Sequence, residues 1–200
     1  MCGIAGIITS PDRRIDQALI KRMTDAIIHR GPDEAGIYTA GGVGLGHRRL
    51  SIIDIKSGQQ PMTSSDGDVT IVYNGEIYNF VEIRAELEAK GYHFKTRCDT
   101  EVILYAYHAW GPDSVKRIRG MFAYVIYDNR SKQIFMTRDR LGIKPLFYAP
   151  VGDRTILFGS ELKALAAHPD FVRNLRKESM EDYFSLGYVA EPHTIYKNVF

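Results

Sequence analysis

The sequence is poor in the features that mark secreted, membrane-bound or nucleic-acid-binding proteins. Its two cysteines, Cys2 and Cys98, are too few and too distant in the chain to form the disulfide framework of a small secreted domain. The apolar run over residues 4–8 is far too short to span a membrane, and it lacks the basic lead and the cleavage site of a secretory signal. We therefore predict a cytoplasmic protein without a membrane partner.

Charge and motif content argue against several further classes. The formal net charge is +2 and the basic residues are scattered, so nucleic acid is not expected as a partner. The six histidines show no metal-ligand spacing, and we predict no metal site. The glycine-rich residues 41–46 match neither the dinucleotide fingerprint nor the nucleotide P-loop. No Gly-x-Ser-x-Gly turn is present, although composition alone does not exclude a Ser/His/Asp triad.

Hydrophobic periodicity predicts a mixture of helices and short strands around one core. The chain has 200 residues, 44% hydrophobic and 25% charged, which is typical of a single globular domain. Apolar patterns predict strands at 3–8, 36–38, 44–47, 50–54, 69–73, 121–127, 133–138, 146–149 and 155–158. Helical spacing predicts helices over about 15–29, 80–90, 100–110, 161–167 and 179–186.

The order of these elements indicates stacked layers. Helices fall between groups of strands that look antiparallel, which predicts two sheets packed on one another with helices outside them. Periodicity does not fix the strand order, and it does not exclude a single-sheet α+β sandwich.

The most informative residue is Cys2. A methionine followed by a small side chain is normally excised, so the mature chain is expected to begin with a cysteine that has both a thiol and a free α-amine. An α-amine has a pKa of about 8 and a free thiol one of about 8.5, so near neutral pH either group can take the proton that the other releases. The alternative is that Cys2 is a small buried hydrophobe at the start of an edge strand.

Asn74 and Gly75 follow the strongest predicted strand and have two interpretations. A carboxamide and a backbone N–H side by side could stabilise a developing oxyanion. Asn-Gly is also the commonest signal for a tight hairpin turn, and the local sequence favours that turn, between Tyr73 and Tyr78.

Arg49 and Asp99 form a second candidate pair. A guanidinium matches the carboxylate of an α-amino acid, and an aspartate matches its ammonium group. Either residue could equally lie on the surface, and the position of Asp99 is also typical of a helix N-cap. The other charged candidates are interpreted as solvated or paired structural charges, namely Arg138, Asp139, Arg140, Glu161 and Lys163.

Six motifs occur in one order along the chain. They are Met1-Cys2-Gly3-Ile4, His29-Arg30-Gly31-Pro32-Asp33, Arg49-Leu50-Ser51-Ile52, Asn74-Gly75-Glu76-Ile77-Tyr78-Asn79, Asp99-Thr100-Glu101 and the block over residues 138–146. With them the chain resembles, from residue 1 to about 196, the glutaminase domain of glutamine-hydrolysing asparagine synthetases of the bacterial B type. These are class II glutamine amidotransferases. The resemblance implies an α+β fold, the four-layer αββα sandwich of N-terminal-nucleophile hydrolases.

The resemblance also implies a role for each site residue. Cys2 would be the nucleophile, with Asn74 and Gly75 as the oxyanion hole. The residues expected to bind glutamine are Arg49 for its carboxylate, Glu76 and Asp99 for its ammonium group, and the backbone near Ile52 and Ile53. Cys98 departs from the family pattern, which commonly has Ser or Gly there. It would compete for alkylating reagents if it lay near the pocket, and a buried bystander is the expected alternative.

The reaction implied is hydrolysis of L-glutamine to glutamate and ammonia through a Cys2 thioester, without a metal or an organic cofactor. Residues 1–186 would form the glutaminase domain. Residues 187–200 would lead toward a C-terminal synthetase domain that uses Mg-ATP to amidate aspartate. The chain stops at Phe200, where that domain would begin, so we expect part of a larger synthetase.

Several alternatives stay open from the sequence. The chain could be a stand-alone glutaminase subunit, or the corresponding domain of a paralogue with another ammonia acceptor. It could also be a non-catalytic module of the same fold that binds glutamine or a partner chain. A homodimer is compatible with all of these.

Overall fold

The structure, a computed structural model, describes residues 1–51 and 57–200. Its strands are β1 Gly3–Ile8, β2 Glu34–Ala40, β3 Val43–Arg49, β4 Met62–Thr63, β5 Val69–Ile77, β6 Gly120–Asp128, β7 Gln133–Arg138, β8 Phe147–Val151 and β9 Thr155–Gly159. Its α-helices are α1 Gln17–Asp25, α2 Phe80–Ala89, α3 Asp99–Trp110, α4 Leu162–Ala166 and α5 Lys177–Leu186. Short 3₁₀ helices span Ile28–Arg30 and Gly111–Lys116. Within the described ranges, none of the helices has the length and apolar character needed to cross a bilayer.

The strands form two antiparallel sheets. The first has the order β2-β3-β1-β9-β8, and the second has the order β4-β5-β6-β7. β1 lies at the centre of the first sheet, where Gly3 pairs with Arg48 of β3 and Ala5 pairs with Gly159 of β9. β1 is therefore hydrogen-bonded to a strand on each side, which fixes the position of Cys2, the residue directly before it.

Three separate apolar clusters define four layers. One cluster, which includes Ile4, Leu45, Val72 and Val125, packs the two sheets face to face. A second lies between the first sheet and helices α1 and α4, and a third lies between the second sheet and helices α2 and α3. The predicted αββα sandwich is therefore confirmed, and the single-sheet alternative is wrong.

The alternation of side chains along β5 decides which residues face which layer. Val69, Ile71 and Tyr73 belong to the cluster under the helices, whereas Val72 belongs to the cluster between the sheets. Successive residues of a strand point to opposite faces, so Asn74 lies on the side of the first sheet. β5 therefore presents residues to both sides of the second sheet.

Several elements differ from the prediction, including β4, which was not predicted, and β5, which runs to Ile77 rather than ending at residue 73. The first helix ends at Asp25 rather than near residue 29, and a separate 3₁₀ turn follows it. The chain must then return to the first sheet, where the Asp33 amide donates to the Arg49 carbonyl at 3.1 Å. The strand predicted at 50–54 is not formed at Leu50 and Ser51, and its other residues lie outside the described ranges.

Residues after α5 pack back against the domain. Leu175 and Tyr196 form an isolated antiparallel bridge. Tyr148 of β8 and Phe200 exchange two backbone hydrogen bonds of 2.8 and 3.0 Å, and Val199 is buried. The final residues of the sequence therefore contribute to the edge of the first sheet.

His47 of β3 connects the two sheets through a buried hydrogen bond. Its Nε2 lies 3.0 Å from the Tyr73 carbonyl of β5, and the side chain is fully buried. Because a carbonyl can only accept, Nε2 holds the proton of the neutral ring. Burial lowers the pKa of His47 to about 4.

Acid is therefore expected to destabilise the domain through His47. The unfolded chain, with a His pKa near 6.5, binds the proton first, so the free energy of unfolding falls as pH drops from about 6.5 toward 4, by up to about 1.4 kcal/mol per pH unit. Urea unfolding, monitored by Trp110 fluorescence at pH values between 7 and 4.5, measures how the free energy of unfolding depends on pH. His47→Gln, which keeps a donor, should flatten the slope, and the exposed His193→Gln is the control. Equal slopes in wild type and His47→Gln would contradict the assignment.

Candidate active site

A cavity of about 80 Å³ lies where the start of β1 meets the ends of β3 and β5 and the start of α3. Six residues singled out from the sequence line it, namely Cys2, Arg49, Asn74, Gly75, Glu76 and Asp99. Ile52 and Ile53, the other two predicted site residues, lie outside the described ranges. Residues far apart in the chain thus converge on one space.

Cys2 is half-buried at the wall of this cavity. The Leu50 amide donates to its Sγ over 3.4 Å, and the Sγ lies 3.7 Å from the Leu50 carbonyl. Burial raises the pKa of the Cys2 thiol above its usual value, and the Leu50 hydrogen bond, the N-terminal ammonium group and the Arg49 guanidinium oppose that rise only in part. The Cys2 nitrogen is in a peptide bond with Met1, whose side chain also lines the cavity.

Arg30, the buried member of a partly exposed ion-pair cluster, holds the backbone of Cys2. Arg30 donates from Nε to the Cys2 carbonyl at 2.9 Å and from Nη1 to Glu161 at 3.1 Å. Glu161 also lies 2.8 Å from His29 Nε2 and 3.0 Å from Lys163 Nζ. Glu161 and Lys163 are thus paired charges, and Glu161 orients the Arg30 side chain that binds the Cys2 carbonyl.

Asn74 and Gly75 do not form a turn. β5 runs through both residues to Ile77 and pairs with β6 along its whole length, with Asn74 opposite Ala123. The hairpin interpretation is wrong because nine residues of cross-strand pairing and burial of Ile77 outweigh the local turn preference of Asn-Gly.

Gly75 occupies a position where a side chain would not fit. A methyl group there would overlap the Met121 carbonyl oxygen and would lie 2.7 Å from the Phe122 Cα and 2.8 Å from Tyr73 Cε2. The glycine thus permits a close approach of β6 and of the Tyr73 ring.

Asn74 has an unused donor. The residue is 2% exposed, and its Nδ2 has no hydrogen-bond partner within the described residues. A buried amide left unpaired costs about 1–3 kcal/mol, so such a donor is typical of a site that awaits a ligand.

The amides of alternate β5 residues point away from β6 toward this cavity. β4 pairs with β5 only at Ile71 and Thr70, so no further described strand covers that edge. The Tyr73 amide donates to Gln60 Oε1 at 2.6 Å, and the Ile77 amide donates to Asp99 Oδ2 at 3.1 Å. Because backbone amides alternate in direction along a strand, the amide of Gly75 has the same orientation as these two.

Arg49 is a buried cavity residue rather than a surface one. It is 4% exposed, and its Nη1 donates to Glu34 at 2.9 Å across the β2–β3 pair. The cross-strand register therefore orients the guanidinium at the end of β3.

Asp99 is the first residue of α3, and Cys98 takes the N-cap position. The Asp99 Oδ2 accepts from the Tyr73 hydroxyl at 2.7 Å as well as from Ile77. Burial raises the pKa of Asp99, while these hydrogen bonds act in the opposite direction. Asp99 is therefore not the N-cap residue, although the amides of Asp99 and Thr100 at the start of α3 also donate to its carboxylate, which lies against β5 at the cavity wall.

The sequence analysis gave no role in the site to six further cavity residues, namely Leu50, Gly58, Gln60, Tyr73, Thr100 and Lys144. Lys144 is 6% exposed and its Nζ donates to the Met1 sulfur at 3.3 Å, while its amide donates to Asp139, which caps the loop before it. No local pattern indicated Gln60. Tyr73 ends a predicted strand directly before the motif that starts at Asn74, and Lys144 lies within the block over residues 138–146, so for these two only the role was missed.

Cys98 also borders the cavity. It is 3% exposed, and its Sγ lies 3.0 Å from the Thr96 hydroxyl. Both cysteines are free thiols. Burial raises the pKa of the Cys98 thiol, and Cys98 is more deeply buried than Cys2.

Comparison with protein families shows to which family the chain belongs. A model described as the glutamine amidotransferase domain matches residues 1–200, the whole chain. The chain belongs to the glutamine amidotransferase domain family.

Relatives of this amidotransferase domain are longer proteins. Glutamine-hydrolysing asparagine synthetase 3 of Bacillus subtilis strain 168 is 40% identical over 203 residues, which cover 100% of this chain and 33% of that protein. Synthetase 1 of the same organism is 42% identical over 98% of this chain and 31% of its own. A putative synthetase of Methanocaldococcus jannaschii is 41% identical over 100% of this chain and 42% of its own. The domain thus spans about a third of the Bacillus relatives.

Solved structures support the fold of the amidotransferase domain. The glutamine phosphoribosylpyrophosphate amidotransferase of B. subtilis, in complex with ADP and GMP, has a TM-score of 0.71 and 20% identity over 88% of this chain and 45% of its own. An allosteric regulatory enzyme of purine biosynthesis has a TM-score of 0.70 and 21% identity over 83% of this chain and 43% of its own. The likeness shows that the domain shares the fold of these enzymes.

Proposed function

We propose that this domain hydrolyses L-glutamine to glutamate and ammonia, with Cys2 as the nucleophile. The observation that carries the proposal is that one cavity collects a thiol, the Asn74 side-chain amide, whose Nδ2 has no hydrogen-bond partner among the described residues, and the oppositely charged Arg49 and Asp99. This set matches the four needs of the reaction, namely a nucleophile, an oxyanion donor, a carboxylate anchor and an ammonium anchor.

The charged residues orient the substrate. The Arg49 guanidinium binds the α-carboxylate, and Asp99 together with Glu76 binds the α-ammonium group. The backbone near Ile52 and Ile53 completes this pocket in the proposal. With both charged groups of glutamine held, its side-chain amide is directed toward Cys2.

The chemistry begins once Met1 is removed and the Cys2 nitrogen becomes an amine. That amine takes the thiol proton, directly or through a water, as the sulfur attacks the amide carbon. The oxyanion lies between Asn74 Nδ2 and the Gly75 amide. The amine returns its proton to the departing nitrogen, and ammonia leaves. Water then hydrolyses the thioester to glutamate and restores the thiol, without a metal or an organic cofactor.

Removal of Met1 is therefore expected to switch activity on. A chain carrying a cleavable N-terminal tag is assayed for ammonia release from glutamine before and after cleavage exposes Cys2, alongside a cleaved Cys2→Ala chain. We expect activity only in the cleaved wild type, because only there is the Cys2 nitrogen a base. Mass spectrometry verifies each N-terminus. Comparable hydrolysis by tagged and cleaved chains would count against the role of the amine.

Asn74→Ala is expected to lower kcat by about 10²- to 10³-fold, since it removes one oxyanion donor. KM should change far less, because the donor acts mainly on the transition state. Steady-state kinetics on the processed chain measure both constants. Asn129→Ala, in the β6–β7 turn, is the control and should match wild type. An Asn74→Ala chain with unchanged kcat would show that another group stabilises the oxyanion.

We also propose that the ammonia serves a synthetase domain. The support is the named activity of the relatives, of which the chain spans about a third. In this proposal residues 1–186 form the glutaminase domain and residues 187–200 connect it to a domain that amidates aspartate with Mg-ATP.

The full-length protein tests the acceptor. With glutamine, aspartate and Mg-ATP we expect asparagine, and Cys2→Ala should form asparagine from ammonia but not from glutamine, because only the glutaminase step is lost. Chromatography of the amino acids measures both reactions. Amidation of a different carboxylate, with none of aspartate, would identify a paralogous acceptor instead.

A further inference from the structure

The Tyr73 hydroxyl joins the two halves of the proposed site. It donates to Asp99 Oδ2 at 2.7 Å, and both side chains line the cavity and are buried, with 3% and 5% of their surface exposed. We propose that Tyr73 is a positioning residue that fixes the Asp99 carboxylate for an α-ammonium group and so makes the enzyme select substrates that carry one. This inference rests on the proposed glutaminase function.

Two donors from one strand converge on a single oxygen of Asp99. The Tyr73 hydroxyl and the Ile77 amide both bond Oδ2. Between these two residues stand Asn74 and Gly75, the proposed oxyanion donors. The carboxylate is therefore fixed relative to the same strand that binds the reacting carbonyl, which sets the spacing between the two ends of a substrate.

Tyr73 is itself held on three sides. Its amide donates to Gln60 Oε1 at 2.6 Å, and its carbonyl lies 3.0 Å from His47 Nε2. Its ring packs over Gly75, where a methyl group would lie 2.8 Å from Cε2. A ring confined in this way holds its hydroxyl in place before substrate arrives, so little conformational freedom is lost on binding.

The chemistry of the donor also matters. A buried carboxylate needs hydrogen bonds to remain charged. A lysine or arginine partner would neutralise Asp99 and compete with the ammonium group of the substrate. A phenol donates a hydrogen bond without adding charge, and its own pKa is held well above the usual value by burial and by Asp99. The Tyr73 hydrogen bond therefore favours the charged form of Asp99 against the effect of burial, and it adds no positive charge that would compete with the substrate.

Tyr73→Phe removes this hydroxyl and keeps the ring. In the processed chain we expect KM for L-glutamine to rise about 10-fold with kcat within about 3-fold of wild type, because a hydrogen bond to a charged group is lost outside the reacting centre. The second substrate is 4-carbamoylbutanoate, which is glutamine without its α-amino group. Its kcat/KM should stay within about 3-fold, so the preference for L-glutamine falls about 10-fold.

Tyr105→Phe is the matched control. Tyr105 lies on α3, as Asp99 does, is 7% exposed, and its hydroxyl lies 2.8 Å from Ser65 Oγ. Its loss should cost similar thermal stability and leave the substrate preference unchanged. An equal fall in kcat/KM for both substrates in Tyr73→Phe, or an unchanged preference, would overturn the inference.

A second variant covers the case in which Tyr73→Phe does not fold. 4-Aminophenylalanine at position 73 keeps the ring shape and a donor at the same place. A preference within about 3-fold of wild type would support donation to Asp99, and a preference lowered 10-fold would contradict it. Wild type that cleaves neither substrate would instead defeat the proposed glutaminase function, so the two failures are distinguishable.

Discussion

The free edge of β5 is the constraint on which the site depends. β4 covers only the first part of that edge, so alternate amides beyond it have no partner strand in the described chain. Gln60 satisfies the amide of Tyr73 and Asp99 satisfies that of Ile77. The amide of Gly75, between them, points the same way. Because β4 is short, the Gly75 amide is not covered by a neighbouring strand in the described chain and is directed toward the cavity.

The αββα arrangement brings the other groups to that edge. β1 lies at the centre of the first sheet and delivers Cys2 from one layer, while β3 delivers Arg49 beside it. The second sheet supplies Asn74, and the first turn of α3 supplies Asp99. Separate apolar clusters pack the four layers, and the hydrogen bond between His47 and the Tyr73 carbonyl connects the two sheets.

Much of the fold and of the site was predictable from sequence, and the errors share one cause. Two packed sheets with outer helices followed from alternating apolar patterns and from the position of the helices between them. Local sequence favoured a turn at Asn74-Gly75 and offered a helix cap as one of two interpretations of Asp99, because these are common local outcomes of those residues, and only the family resemblance assigned them to the site. Pairing with β6 overrode the first, and contact with Tyr73 overrode the second. Neither β6 nor Tyr73 is close in sequence to the residue it contacts in a way that a local pattern could indicate.

The sequence by itself determined the chemical groups: a cysteine beside the initiator methionine, an Asn-Gly donor pair, one arginine and one aspartate, and the periodicities that place them at element ends. The tertiary structure alone decided that these ends meet in one cavity, that Gly75 lacks space for a side chain, and that Gln60, Tyr73 and Lys144 belong to the site. Periodicity records which face of an element is buried. It contains no record of which strand pairs with which, and the position of every cavity residue depends on that pairing.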